Sequence, residues 1–143
     1  MNTGRWRNRR EEEDRKLRFH HSAIIVSSEA GIDFYKDLGF EEVERQQRET
    51  DQIVWLKGNC CMLELFLNPT HLQRVTDPEA NGLRHLAFET EHLEEMRERL
   101  AKYNPEEIKE KYRIFFVKDP DGQSIEIKEY IPQPPIGEYR IED

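Results

Sequence analysis

The hydrophobic pattern along the chain changes period in an order that occurs twice. Phe19 to Val26 (FHHSAIIV) is an apolar, β-branched run and predicts a strand. From Glu29 to Leu38 the apolar residues Ile32, Phe34, Tyr35 and Leu38 fall at helical spacing, and Gly39 ends the helix. Phe40 to Arg45, Gln52 to Lys57 and Cys60 to Leu67 predict three more strands, the last two turned by Gly58-Asn59. A connector from Asn68 to Gly82, with Pro69, Pro78 and Asn81-Gly82, precedes the second round. That round reads as strand Leu83 to Glu89, helix His92 to Tyr103, a strand near Glu107 to Glu110, and strands Tyr112 to Lys118 and Ser124 to Tyr130 around Asp119-Pro120-Asp121-Gly122.

Each round is β-α-β-β-β, so the pattern implies a duplication. Residue identities agree: His21 and His85 stand 64 positions apart, Glu64 and Glu126 stand 62 apart. Their surroundings match too, Leu-Glu-Leu at 63 to 65 against Ile-Glu-Ile at 125 to 127. The organisation expected is a charged tail over 1–18, a domain over 19–130 and a proline-rich tail over 131–143. Within the domain, module one covers 19–67, the connector 68–82 and module two 83–130.

Strand side chains alternate between faces, so a carboxylate between two large aliphatics points away from the face those aliphatics bury. If Leu63, Leu65, Ile125 and Ile127 pack under the helices, Glu64 and Glu126 lie on the opposite face with His21 and His85. The same alternation puts Ala23, Ile25, Cys60, Met62, Phe66, Leu83, Ala87, Ser124 and Lys128 around them, a mostly apolar concavity. A glutamate there is costly unless paired or metal-bound. Two imidazoles and two carboxylates form an N₂O₂ set suited to Zn²⁺, Ni²⁺, Co²⁺, Fe²⁺ or Mn²⁺. Taken singly, a strand His is more often a hydrogen-bonded structural residue and a strand Glu more often sits in water. The occurrence of all four at matching places in both halves favours the metal. A shift of one residue in register would exchange His21 for His20. His71 and His92, in the connector and at a helix start, read as bystanders.

Composition narrows the function further. The chain has 143 residues, enough for one ordinary domain. It carries 22 Lys+Arg against 30 Asp+Glu, a net charge of −8, which argues against a nucleic-acid partner. No window approaches the roughly eighteen apolar residues of a membrane span. The first eighteen residues hold seven basic and four acidic side chains without periodicity, which predicts a solvated extension rather than an anion-binding arm. The only cysteines, Cys60 and Cys61, are adjacent, and strand-like context would point them to opposite sides, so no disulfide framework exists. A charged N-terminus and two free thiols predict a cytoplasmic protein.

Several stretches resemble the vicinal oxygen chelate superfamily, the glyoxalase I/bleomycin resistance/dioxygenase group. His21-Ser-Ala-Ile-Ile is similar to its first ligand strand, and Asp33-Phe-Tyr-Lys-Asp-Leu-Gly-Phe to its first helix and turn. Glu64-Leu-Phe, Gly82-Leu-Arg-His85-Leu-Ala-Phe and Asp119-Pro-Asp-Gly-Gln-Ser-Ile-Glu126 are similar to the other three ligand strands. The likeness spans residues 19 to 130 and is strongest to small bacterial glyoxalase-I-like proteins. It implies an α+β fold, two tandem modules forming a curved mixed sheet around a metal site. It implies one divalent metal held by His21, Glu64, His85 and Glu126, acting as a Lewis acid that polarises substrate oxygens and stabilises an enediolate. Glu126 is expected as the base that moves the carbon proton, with Glu64 its symmetry mate, and apolar walls from Met62, Phe66 and Leu83 raise its basicity.

The implied activity is that of a lactoylglutathione lyase acting on a 2-oxoaldehyde–thiol adduct, with glutathione or another thiol as cosubstrate. Glutathione-using relatives carry an Arg four residues after the first His, where this chain has Ile25, while the Asn four residues after the second ligand is matched by Asn68. Arg113 and Lys128 are further candidates for anionic contacts; Arg84 alternates away from the pocket. A CoA-ester epimerase would use the same chemistry but commonly has Gln at the place of Glu64. An extradiol dioxygenase needs only three ligands, and a non-catalytic binding module of the resistance type needs no metal. The family also predicts a homodimer, with modules paired within a chain or exchanged between chains.

Overall fold

One face of each strand except Glu41–Gln47, which is exposed along its whole length, is drawn into a common apolar core, and the elements follow from that demand. The computed structural model describes residues 9–132. Its strands are β1 (His21–Val26), β2 (Glu41–Gln47), β3 (Gln52–Lys57), β4 (Met62–Leu67), β5 (His85–Thr90), β6 (Ile114–Lys118) and β7 (Ser124–Glu129). Its helices are α1 (Arg9–Asp14), α2 (Glu29–Asp37) and α3 (Leu93–Arg99), the last followed by a 3₁₀ turn over Ala101–Tyr103. β1 to β4 form one sheet in the order β1-β4-β3-β2, and β5 to β7 another in the order β5-β7-β6. In each, the first strand runs parallel to the last and the others antiparallel. Parallel neighbours need a crossover, and α2 and α3 supply it.

Ile24, Val26, Val54, Leu56, Leu63 and Leu65 of the first sheet meet Phe115, Val117, Ile125 and Ile127 of the second in a single cluster, closed by Ile32, Phe34 and Tyr35 of α2 with Leu93 and Leu100 around α3. Burying each large aliphatic contributes about 1.5–3 kcal/mol. Gly39 ends α2 at φ +109°, a conformation that excludes most L residues. Polar bonds tie the modules together across this core. The Tyr35 hydroxyl donates to Asp119 Oδ2 at 2.7 Å, with both groups buried. The Ser27 amide donates to Asp121 Oδ2 at 3.0 Å and its hydroxyl to Oδ1. The Tyr103 hydroxyl donates to Asp37 Oδ2 at 2.6 Å, and the Phe34 and Tyr103 rings pack edge to face at 4.8 Å.

The structure corrects the sequence reading in three places. Cys60 and Cys61 lie in the turn before β4 and not in the strand, so alternation does not separate them, and both line the same cleft. The strand expected near Glu107 to Glu110 is reduced to an isolated bridge between Lys109 and Ile114. Glu106 N–H still reaches Phe116 and Lys109 N–H reaches Ile114, but the pairing slips by one residue between these two bonds, which breaks the ladder as a bulge does. Leu83 precedes β5 and is 65% exposed, so it forms no wall beside His85. Of the expected N-terminal tail, residues 9–14 form α1 and residues 1–8 lie outside the described region; the C-terminal tail lies outside it from residue 133. Among the described residues no helix is long and apolar enough to cross a membrane.

Candidate functional site

Because Leu63 and Leu65, like Ile125 and Ile127, point into the shared core, Glu64 and Glu126 must point to the opposite face of their sheets. The register brings the expected partners to them. In the first sheet Ala23 lies opposite Glu64 and His21 opposite Met62, with Trp55 across from Glu64 on the other side. In the second, Ala87 lies opposite Glu126 and His85 opposite Ser124, with Phe116 across from Glu126. The two arrangements are the same. His21 Nε2 is 3.6 Å from Glu64 Oε1, and His85 Nε2 is 3.5 Å from Glu126 Oε2. The side chains are comparably open, 30% and 18% exposed in the first pair, 26% and 20% in the second.

These separations are too long for good hydrogen bonds. They are close to the roughly 3–3.5 Å between two donors that each hold one ion at about 2.1 Å. Each imidazole is steadied by an aromatic ring, His21 against Trp55 at 4.9 Å and His85 against Phe116 at 5.4 Å, both edge to face. His20 Nδ1 is 2.7 Å from His21 Nδ1, so one imidazole donates to the other and His21 keeps Nε2 for the Glu64 side. His20 is thus a neighbour that orients His21. Donor type, spacing and burial therefore fit a divalent cation at each pair. Within one chain the pairs do not merge: among the described residues no group of three or more His, Cys, Asp or Glu side chains could surround an ion. The reason is topological, since both sheets turn their ligand faces away from the one core they share.

The remaining site candidates fare differently. Asn68 Oδ1 accepts from the amide and hydroxyl of Thr70, at 2.8 and 2.6 Å, and is a turn residue before Pro69. Arg113, at φ +54°, is clasped by Glu129, Glu94 and Glu110, so its guanidinium is committed to carboxylates that hold it charged. Lys128 stands opposite Glu89 on the second sheet and lines a cleft of about 490 Å³ with Phe19, Phe40, Cys60, Cys61 and Phe88. None of the four His and Glu candidates lines that cleft. Arg84 pairs with Glu79 at 2.8 Å on the exposed surface. His71 lies near enough to Asp51 to help lower its pKa, after the dominant Arg48 bond, and His92 caps α3 without a side-chain bond.

Two cations escaped the sequence reading. The Arg48 guanidinium carbon lies 5.3 Å from the centroid of Phe66, and Lys109 Nζ lies 5.1 Å from that of Phe116. Both rings belong to the ligand faces, Phe66 two residues after Glu64 and Phe116 opposite Glu126. The alternation rule locates the rings, but Arg48 sits in the loop after β2 and Lys109 in the stretch where the expected strand is reduced to an isolated bridge, so alternation aims neither cation.

Comparison with known proteins identifies the family and the fold. The profile of the Glyoxalase/Bleomycin resistance protein/Dioxygenase superfamily matches residues 18–127. The chain is 36% identical over 126 residues to YaeR from Escherichia coli (strain K12), covering 77% of this chain and 94% of the relative. It is 34% identical over 122 residues to YwkD from Bacillus subtilis (strain 168), again covering 77% and 94%. A solved glyoxalase family protein from Enterococcus faecalis is similar at 32% identity and TM-score 0.67, covering 81% of this chain and 99% of that one.

Proposed function

Because this chain belongs to the Glyoxalase/Bleomycin resistance protein/Dioxygenase superfamily, we propose that it is a metal-dependent enzyme of glyoxalase I type, moving a proton between adjacent carbons of a 2-oxoaldehyde–thiol adduct or a similar small substrate. The observation that supports this reading is the pair of equivalent His–Glu half-sites, with N–O separations of 3.6 and 3.5 Å. His21, Glu64, His85 and Glu126 would hold one divalent ion, with Zn²⁺, Ni²⁺ or Co²⁺ best suited to two nitrogens and two oxygens. When bound, the ion supplies Lewis-acid polarisation of substrate oxygens.

The chain's own residues do the rest. Glu126 is the base: a carboxylate within reach of the substrate carbon accepts its proton and returns it to the neighbouring carbon. Glu64, its counterpart, remains a ligand. Trp55 and Phe116 restrict the imidazoles by packing edge to face against them. Since one chain carries the halves on separate faces, the complete site in this reading forms in a homodimer that sets the first half of one copy against the second half of the other. β1 and β5 are edge strands of their sheets and carry His21 and His85, which favours them over the other edges as the strands of that contact in this reading. Ile25, 48% exposed on β1, belongs to the face such a contact would cover.

The test is metal content of protein purified without chelator, for wild type, Glu126→Gln and His85→Ala, followed by a lactoylglutathione-formation assay on metal-loaded protein. About one equivalent per chain, reduced in the His85 variant, with thiol-dependent turnover lost in Glu126→Gln, is the expected result. A wild type that refuses every divalent ion would refute the reading. Equilibrium sedimentation distinguishes the dimer from a monomer.

A further inference from the structure

We propose that Arg48 and Lys109 are the anion-recognition groups of this site, so that its substrate carries a carboxylate at the end remote from the reacting carbons. The inference rests on the function proposed above and adds the chemical class of ligand. Arg48 is the better defined of the two. It opens the β2–β3 hairpin, where its amide donates to the Asp51 carbonyl at 2.8 Å. Its Nε and Nη2 both donate to the Asp51 carboxylate, each at 2.6 Å, and the ring of Phe66 lies beneath. The guanidinium is thereby fixed, and among the described residues no hydrogen bond engages Nη1.

Its position relative to Glu64 sets the reach of the ligand. Phe66 and Glu64 are same-face neighbours on β4, about 7 Å apart along the strand. The register neighbours of Phe66 on either side are Ile25 and Ile53, so the path from Glu64 to Arg48 is walled by apolar side chains. An acyclic acid whose oxygens sit at the His–Glu pair would run along this apolar wall and end its carboxylate at Arg48.

The second half-site repeats the arrangement by different means. Lys109 lies over Phe116, whose ring touches His85, and it forms no ion pair among the described residues. The other cation–ring contacts among the described residues, Lys102 over Tyr103 and Lys111 over Tyr112, lie outside the ligand strands. The other charged residues of these faces are Glu41, Glu44 and Lys57 in the first sheet, with Glu41 opposite Lys57, and Glu89, Lys128 and Lys118 in the second, with Glu89 opposite Lys128. A site joining unlike halves receives one Arg48 and one Lys109. Arginine gives the fixed, directional contact and lysine an adaptable one.

The test uses the full chain and two probes built on the same six-carbon chain, adipate and its uncharged dimethyl ester. Binding is followed by Trp55 fluorescence in a Trp6→Phe background, with and without added Zn²⁺, and Zn²⁺ affinity is measured separately by calorimetry. Adipate is expected to bind about fivefold or more tightly than the ester. Arg48→Ala should abolish most of that preference and Lys109→Ala part of it, with Zn²⁺ affinity unchanged. Asp51→Asn, which frees the guanidinium but keeps its charge, should retain the preference and shows that the hairpin tolerates change. Equal affinity for the two probes, no detectable adipate binding, or a preference that survives both alanine variants would overturn the proposal. A wild type that ignores Zn²⁺ yet keeps its preference for adipate would sink the enzyme reading and leave the anion site standing.

Discussion

Replacing Tyr35 by Phe removes one hydroxyl from the bond that joins α2 to the loop after β6. Asp119 is only 3% exposed, and its two oxygens are served unequally. Oδ1 accepts from the amides of Asp121 and Gln123, each at 2.9 Å, while among the described residues Oδ2 has only the Tyr35 hydroxyl, at 2.7 Å. Tyr35→Phe therefore leaves one buried carboxylate oxygen without a donor. A hydrogen bond to a charged group is worth about 1.5–3 kcal/mol, so the loss at pH 7 should be about 2–3 kcal/mol. With a urea dependence of about 1–3 kcal/mol per molar, the midpoint should fall by about 1 M or more.

The pH dependence makes the test specific. Burial raises the Asp119 pKa above its usual 3.8, while the Tyr35 bond pulls it back down. A raised carboxylate pKa means the folded state favours the protonated form, so the contribution of Asp119 to stability declines as pH rises from about 4 through the folded value. Without the Tyr35 donor the folded pKa climbs further, and the decline continues to higher pH. The variant should thus lose more stability at pH 7 than at pH 4, where a neutral bond worth about 1 kcal/mol is all that is missing. Urea titrations followed by circular dichroism at both pH values decide it. A loss below about 0.5 kcal/mol, or equal losses at the two pH values, would refute the account.

Three further outcomes follow from neighbouring features. A Cβ on Gly58 would lie 2.6 Å from Phe40 Cε1, so Gly58→Ala should displace the ring from Phe88 and cost about 1–3 kcal/mol, read as a fall in melting temperature of about 5 °C or more. The Tyr103 hydroxyl is the first cause of the lowered Asp37 pKa, ahead of Lys102. A depressed carboxylate stabilises the fold above about pH 4 and loses that contribution as pH falls through the folded value, so Tyr103→Phe should cost about 0.5–1 kcal/mol at neutral pH and less at pH 3, by urea titration. Cys60 is exposed, whereas burial and the adjacent Cys60 push the Cys61 thiol pKa up. A disulfide reagent at pH 8 should therefore modify one thiol per native chain rapidly and the second slowly, and both at one rate in urea.

Much of this was readable from the chain because alternation is a local property. β3 runs over Gln52–Lys57 as the periodicity predicts, and the flanking aliphatics of Glu64 and Glu126 fix which way those carboxylates face. What escaped was everything set by pairing between distant segments. The stretch near Lys109 has strand composition, yet Arg113 at φ +54° and a one-residue slip in pairing prevent a ladder, and neither leaves a mark in composition. Arg113 reads as a free cation until Glu94, Glu110 and Glu129 are found around it. Asn68 matches a binding position by spacing but spends its side chain on Thr70. The separation of the half-sites was equally hidden, because a duplicated pattern says which faces match and not whether two like faces turn toward each other.

The clasp across the core also limits what recombination can do with this gene. Ser27 and Tyr35, both in the first repeat, act as donors, and Asp119 and Asp121, both in the loop between the last two strands of the second, accept from them. The corresponding loop of the first repeat, Gly58 to Cys61, contains no carboxylate. A chimera that doubled the first repeat would therefore bury a tyrosine hydroxyl with no acceptor waiting for it. An ancestral duplication can begin with interchangeable copies, but once the latch is divided between them each half becomes an obligate complement of the other. Crossovers that separate residue 35 from residue 119 should be tolerated only when both parents carry matching halves of the latch.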